Sequence, residues 1–92
     1  MIRSFRDKDA EALFGGKVPR RLQSVARPGQ RKLEQLNAAT QLEDLGIFPG
    51  NRLEALKGDR RGQHSIRINV RLRICFVWPN SDAYDVEIVD YH

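Results

Sequence analysis

Along the second half of the chain, apolar and polar residues alternate. Leu72, Ile74, Phe76 and Trp78 fall on one side of an extended strand, and Arg71, Arg73, Cys75 and Val77 on the other. In the stretch before it, Ile66 and Ile68 take the buried parity, and Ser65 and Arg67 face away. The pattern predicts four strands, at residues 53–56, 64–68, 72–78 and 84–89. They are separated by Gly58-Asp59, Gly62, Asn69 and Pro79–Asp82. The first half has a different period. Asp7–Phe14 reads as a short helix with acids in its first turn, stopped by Gly15-Gly16. From Pro19 to Leu42 the apolar residues Leu22, Val25, Leu33, Leu36 and Ala39 recur at helical spacing. Pro28-Gly29 predicts a kink or break in that stretch, with the better helix running from Gly29 to about Ala39. Met1–Phe5 alternates as a short strand, and Asp44–Gly50 is a loop by its Pro and Gly content. Short connections make the strands antiparallel. The expected fold is α+β: one domain over residues 1–92, with two N-terminal helices on one face of a small, mostly antiparallel sheet.

Parity also sets a register, because a one-residue slip turns a whole strand over. A three-residue loop, Asn69–Arg71, pairs Ile68 with Leu72 and Ile66 with Ile74, and so places Arg67 opposite Arg73. Across the loop Pro79–Ala83, the same rule pairs Trp78 with Tyr84, Phe76 with Val86 and Ile74 with Ile88. Val89 then lies beside Arg73 and Tyr91 beside Arg71. Asp90 falls on the other parity, and His92 lies past the ladder, where parity does not place it. Two arginines opposed at roughly 5 Å repel each other. They are tolerable under solvent screening and useful if an anion sits between them. A merely solvated basic face is the competing interpretation. On the anion-site interpretation, either arginine should be replaceable by Ala at a stability cost within about 0.5 kcal/mol.

Charge sharpens this picture. Residues 1–50 carry nine Lys/Arg and six Asp/Glu, residues 51–78 seven and two, and residues 79–92 none and four. The basicity is concentrated on the central strands, which suits a partner bearing phosphates. Cys75 is the single cysteine and sits in an apolar run, so it reads as a buried small hydrophobe in a reducing compartment. The chain has no long apolar run and no signal-peptide pattern, which predicts a cytoplasmic protein without a membrane association. It ends on an acid, a phenol and an imidazole: Asp90, Tyr91 and His92.

The segments Leu56-Lys57-Gly58-Asp59, Ser65–Asn69, Arg73–Phe76 and Asp90-Tyr91-His92 together resemble the HigB toxins of the RelE superfamily. The resemblance is strong over residues 51–92 and weaker before them. It implies a RelE-like fold and a ribosome-dependent endoribonuclease that cuts mRNA in the 30S A site. It also implies a HigA-like helix-turn-helix antitoxin as partner, with DNA reached only through that antitoxin. The chain would then end where its active site ends. RNA supplies its own nucleophile, the 2′-OH, so the protein must align it, stabilise the phosphorane charge and move two protons. Lys57, Arg67 and Arg73 suit the charge task. His92 is the first candidate for proton transfer, since imidazole titrates near neutrality, with Tyr91 and Asp90 positioning it or the substrate. Many family members carry His where Glu54 stands, so no histidine role transfers there and Glu54 enters as an alternative base. Arg60, Arg61, His64 and Arg71 are assigned to RNA binding. Many members carry an aromatic residue where His64 and Leu72 stand. No Cys/His spacing for a metal and no nucleotide loop accompanies these residues, so no cofactor is expected. The antitoxin is expected on the helices around Phe14, Leu22 and Val25. A silent relative that still binds ribosome or antitoxin, and a non-enzymatic nucleic-acid-binding module, stand as alternatives.

Overall fold

The computed structural model describes residues 1–90. Two helices, α1 (Lys8–Phe14) and α2 (Ala26–Ala38), lie against one face of a four-stranded sheet. Its strands are β1 (Glu54–Ala55), β2 (Gln63–Arg67), β3 (Leu72–Val77) and β4 (Tyr84–Asp90), in the order β1-β2-β3-β4 and all antiparallel. The expected α+β arrangement is therefore the observed one. Met1–Phe5 adds a fifth, irregular edge. It forms parallel bridges at Ile2–Ala83, just before β4, and at Phe5–Val86, with the Arg3 amide donating to the Ala83 carbonyl at 2.8 Å.

The core is where the two periodicities meet. Leu22, Leu33 and Leu36 from the helical half and Ile66, Ile74, Phe76 and Val86 from the sheet are all fully buried. Burial of such side chains contributes roughly 1.5–3 kcal/mol each. This corrects one expectation: Leu22 and Val25, proposed as antitoxin contacts, are core residues and offer no surface. Phe14 keeps an exposed edge and packs its ring 5.8 Å from that of Phe5.

The helical break also differs from expectation. A 3₁₀ turn, Arg20–Val25, precedes α2, and the chain changes direction at Val25 (φ −124°). Pro28 is the third residue of α2. Its missing N–H costs nothing there, because the first-turn amides of a helix have no intrahelical acceptor. Gly29 is buried, and a Cβ on it would come within 2.9 Å of Leu13 Cδ2, so its value is the close approach of α1 and α2.

In the sheet, Arg67 opposes Arg73 and Ile66 opposes Ile74, as parity required. Between β3 and β4 the register holds at Ile74–Ile88 and Arg73–Val89, then slips by one residue, so that Tyr84 meets Val77 instead of Trp78. Asp85 is the extra residue of this bulge. It adopts φ 54°, a left-handed conformation that Asp tolerates better than most side chains, and its amide donates to Ser4 Oγ at 2.9 Å. The position expected for Tyr91 beside Arg71 lies outside the described residues. Among the described residues, no helix is long and apolar enough to cross a membrane.

Asp7 ties the two layers together. Its carboxylate caps α1 through the Asp9 amide (2.9 Å), accepts from the Ile88 amide of β4 (3.1 Å) and holds Arg21 Nη2 (2.6 Å). Asp7→Ala is expected to lower stability by roughly 2–3 kcal/mol, the sum of a lost cap and a stranded strand amide. Asp7→Asn should cost less, because it keeps the cap. Urea unfolding of the two variants checks the order.

Candidate functional site

The face of the sheet turned away from the helices carries two rows of side chains. Glu54, Ser65, Cys75 and Glu87 stand side by side on successive strands, and Arg67, Arg73 and Val89 form the next row. Ser65 and Cys75 are fully buried, so this face is not bare; long charged side chains cover its floor. Burial pushes the Cys75 thiol above its ordinary range, with the Glu87 and Glu54 charges adding to the effect and Arg60 and Arg73 opposing it. The thiol is therefore protonated at neutral pH and serves as packing.

Arg73 is the centre of the face. Its Nε donates to Ser65 Oγ at 2.7 Å, and its Nη2 donates to the Arg52 carbonyl at 2.8 Å and lies 3.4 Å from Glu54 Oε1. The Arg52 carbonyl is presented by a left-handed residue (φ 45°), which follows the turn Pro49–Asn51. Asn51 anchors that turn. It is fully buried, and its Nδ2 donates to the Leu45 carbonyl and to Gln35 Oε1 of α2. A guanidinium on the sheet is thus oriented by a loop pinned to the helices.

Arg67 faces Arg73 but is held differently. Its Nε donates to the Asn69 carbonyl at 3.0 Å, and its own carbonyl accepts from Lys32 Nζ at 2.6 Å. Beyond Ser65, β1 no longer pairs with β2, so the α2 lysine satisfies an open strand edge. Desolvation lowers the Lys32 pKa, and the Arg31 and Arg67 charges lower it further.

Lys57 is exposed and opens the turn between β1 and β2, just before the 3₁₀ turn Gly58–Arg60. Arg60 reaches back from that turn, its Nη1 donating to Gln63 Oε1 and Glu87 Oε2, each at 3.0 Å. Arg61 is exposed at the end of the same turn. Arg71 and Asp90 pair with each other at 2.7 Å, where Asp90 opposes Leu72 at the far end of β4.

The structure therefore brings Glu54, Arg67, Arg73 and Arg60 onto one face, with Lys57 on the adjoining turn. It separates His64 from them. His64 opposes Phe76 on the helix-side face, its ring 6.2 Å from the phenyl ring and its Nδ1 buried without a hydrogen-bond partner. Tyr91 and His92 lie outside the described residues. Among the described residues, no three His, Cys, Asp or Glu side chains converge as metal ligands would. Sequence reasoning missed Glu87 and Lys32. The register that sets Ile88 opposite Ile74 also places an acid among the arginines, and Lys32 flanks the inward-facing Gly29, Leu33 and Leu36; both signals were available.

Residues 3–92 match a family model described as the RelE-like toxin of the type II toxin-antitoxin system HigB. Toxin HigB-1 of Vibrio cholerae serotype O1 is 41% identical over 85 residues, covering 90% of either chain. Endoribonuclease HigB of Proteus vulgaris is 38% identical over 96 aligned positions, covering both chains in full. Among solved structures, the YoeB–YefM toxin–antitoxin complex from Staphylococcus aureus contains a similar fold. Its TM-score is 0.58 at 18% identity, with 100% of this chain and 98% of that one covered.

The two arginines should differ under mutation. Arg73→Ala is expected to cost roughly 2–3 kcal/mol, because the Arg52 carbonyl and the buried Ser65 hydroxyl both lose their donor. These contacts make the expected cost at Arg73 larger than the roughly 0.5 kcal/mol expected from the sequence. Arg67→Ala should stay within about 1 kcal/mol, since the Lys32 contact is to its backbone. Urea midpoints of the two variants, measured side by side, decide it.

Proposed function

The chain belongs to the HigB family of RelE-like toxins of type II toxin–antitoxin systems, and we propose that it is an endoribonuclease that cuts mRNA in the ribosomal decoding site. The observation that carries this is the fixed Arg73 guanidinium on a face that also presents Arg67. Donors held in place before the substrate arrives need no reorganisation when charge develops on a phosphate. The name of the Proteus vulgaris relative supports the reaction class.

In the reaction, the ribose 2′-oxygen attacks the adjacent phosphorus while the bond to the 5′-oxygen breaks. This leaves a 2′,3′-cyclic phosphate and a 5′-hydroxyl. Arg73 and Arg67 take the equatorial oxygens, and Lys57 adds charge from the turn. The 2′ proton goes to a base and the 5′-oxygen receives one from an acid. His92 is assigned one of these roles by its titration range, with Asp90 and Tyr91 as its supports. Glu54 is the alternative base. Its side chain is half exposed and its partner Arg73 is the group a phosphate would engage, so substrate binding would release the carboxylate to accept a proton. Arg60, Arg61 and Arg71 add salt-sensitive attraction for the RNA backbone. His64, on the other face, has no place in this scheme. The toxin works on ribosomes and therefore in the cytoplasm, and its regulatory partner is a helix-turn-helix antitoxin through which alone it meets DNA.

Purified protein mixed with ribosomes programmed with a defined mRNA should cleave it, while the same free RNA stays intact. Arg67→Ala should slow cleavage about 10²–10³-fold, and His92→Gln should lose most turnover while keeping ribosome binding. Ribosome binding without cleavage by the unaltered protein would mark a silent relative, an outcome the Glu54–Arg73 ion pair would then explain. Equal binding to free RNA without cleavage would mark a simple binding module.

A further inference from the structure

An acid in the middle of a phosphate-binding face needs an explanation, and Glu87 is such an acid. It stands beside Cys75 on β4, with its side chain 15% exposed. Its Oε2 meets Arg60 Nη1 at 3.0 Å and Arg6 Nη1 at 3.6 Å. Arg60 also holds Gln63 Oε1 on β2. Because β3 lies between β2 and β4, the Arg60 side chain crosses the sheet and closes over the buried Cys75. The turn from which it reaches is otherwise lightly built. Inside it are two backbone hydrogen bonds of 3.2 and 3.1 Å, the Leu56 amide donates to the Gln63 carbonyl at 2.9 Å at its base, and Gly58 and Gly62 both have positive φ. That turn begins immediately after Lys57.

We infer that Glu87 is a positioning residue for RNA cleavage: through Arg60 it clamps the β1–β2 turn across the sheet and so sets where Lys57 stands relative to Arg73 and Arg67. This rests on the endoribonuclease reading and deepens it. A carboxylate that merely occupied the face would weaken phosphate binding by repulsion. One that holds a cationic turn in register trades a little affinity for geometry, and geometry governs the chemical step more than binding does.

The test is the split between kcat and KM on programmed ribosomes. Glu87→Ala should lower kcat about 10–100-fold, the scale of a small misplacement of a catalytic group. KM should stay level or fall, because the face loses a negative charge beside two arginines and attracts RNA more strongly. Glu87→Gln keeps an acceptor for Arg60 and should recover most of the rate. Arg60→Ala should reproduce the kcat loss, and the double Ala variant should be no slower than the slower single, since both remove one clamp. An unchanged or higher kcat in Glu87→Ala overturns the inference, as does a loss that tracks the folded fraction in urea. If Glu87→Ala does not fold, Arg60→Ala decides: a rise in KM alone shows that Arg60 is only a phosphate contact and that Glu87 positions nothing. Unaltered protein that is inert on ribosomes defeats both readings. Active unaltered protein with an equally active Glu87→Ala defeats this one only.

Discussion

A guanidinium taken out of water must have its N–H groups satisfied, and that requirement at Arg73 shapes more of this molecule than any other single interaction. Removing a charge from water costs several kcal/mol even after relaxation, so an incompletely paired Arg73 would be expelled from the sheet. The pairing draws on two other segments of the chain: Ser65 on the neighbouring strand, and the stretch that carries Glu54 of the edge strand and the Arg52 carbonyl. The last of these exists only because Asn51 is buried against α2 and Arg52 takes a left-handed turn. What satisfies Arg73 also fixes its direction.

Charge on this face is ordered in alternation. Glu54 lies against Arg73, and Glu87 lies against Arg60 and Arg6. Ser65 and Cys75 beneath are buried, so the Arg60–Glu87 contact is less screened than an ordinary surface pair, whereas Glu54 and Arg6 stay half exposed. Each acid also neutralises part of the repulsion that a block of seven bases would otherwise build up between residues 51 and 78. Arg67 and Lys32 are the exception, placed close together at the open edge of β2, where desolvation, and after it repulsion from Arg31 and Arg67, lowers the Lys32 pKa. An anionic backbone arriving there would relieve that repulsion.

The helical layer has a separate task. Leu22 and Val25, although spaced as an amphipathic stripe, are consumed by the core, and α1 is fastened to β4 through Asp7. A partner covering this side would have to use what remains exposed, including Phe14 and the loop residues Ile47 and Phe48.

Alternation and helical spacing were enough, from the chain alone, to determine the two-layer architecture, the four strands and the Arg67–Arg73 pairing, because burying one face of a sheet leaves a single parity and register open. Pro28 was misread because proline breaks a helix only inside it, and spacing does not say where the first turn starts. The bulge at Asp85 was invisible because a single inserted residue leaves both flanking patterns intact. The motif segments pointed to Lys57, Arg67 and Arg73 as a group, yet whether a residue on the far face is solvated or buried depends on which loops fold over it. Only the tertiary structure decided that Asn51 and Arg52 are placed to hold Arg73, that Arg60 reaches across to Glu87, and that Lys32 reaches the Arg67 carbonyl. Those facts arise from contacts between residues 16 to 35 positions apart, where local periodicity carries no information.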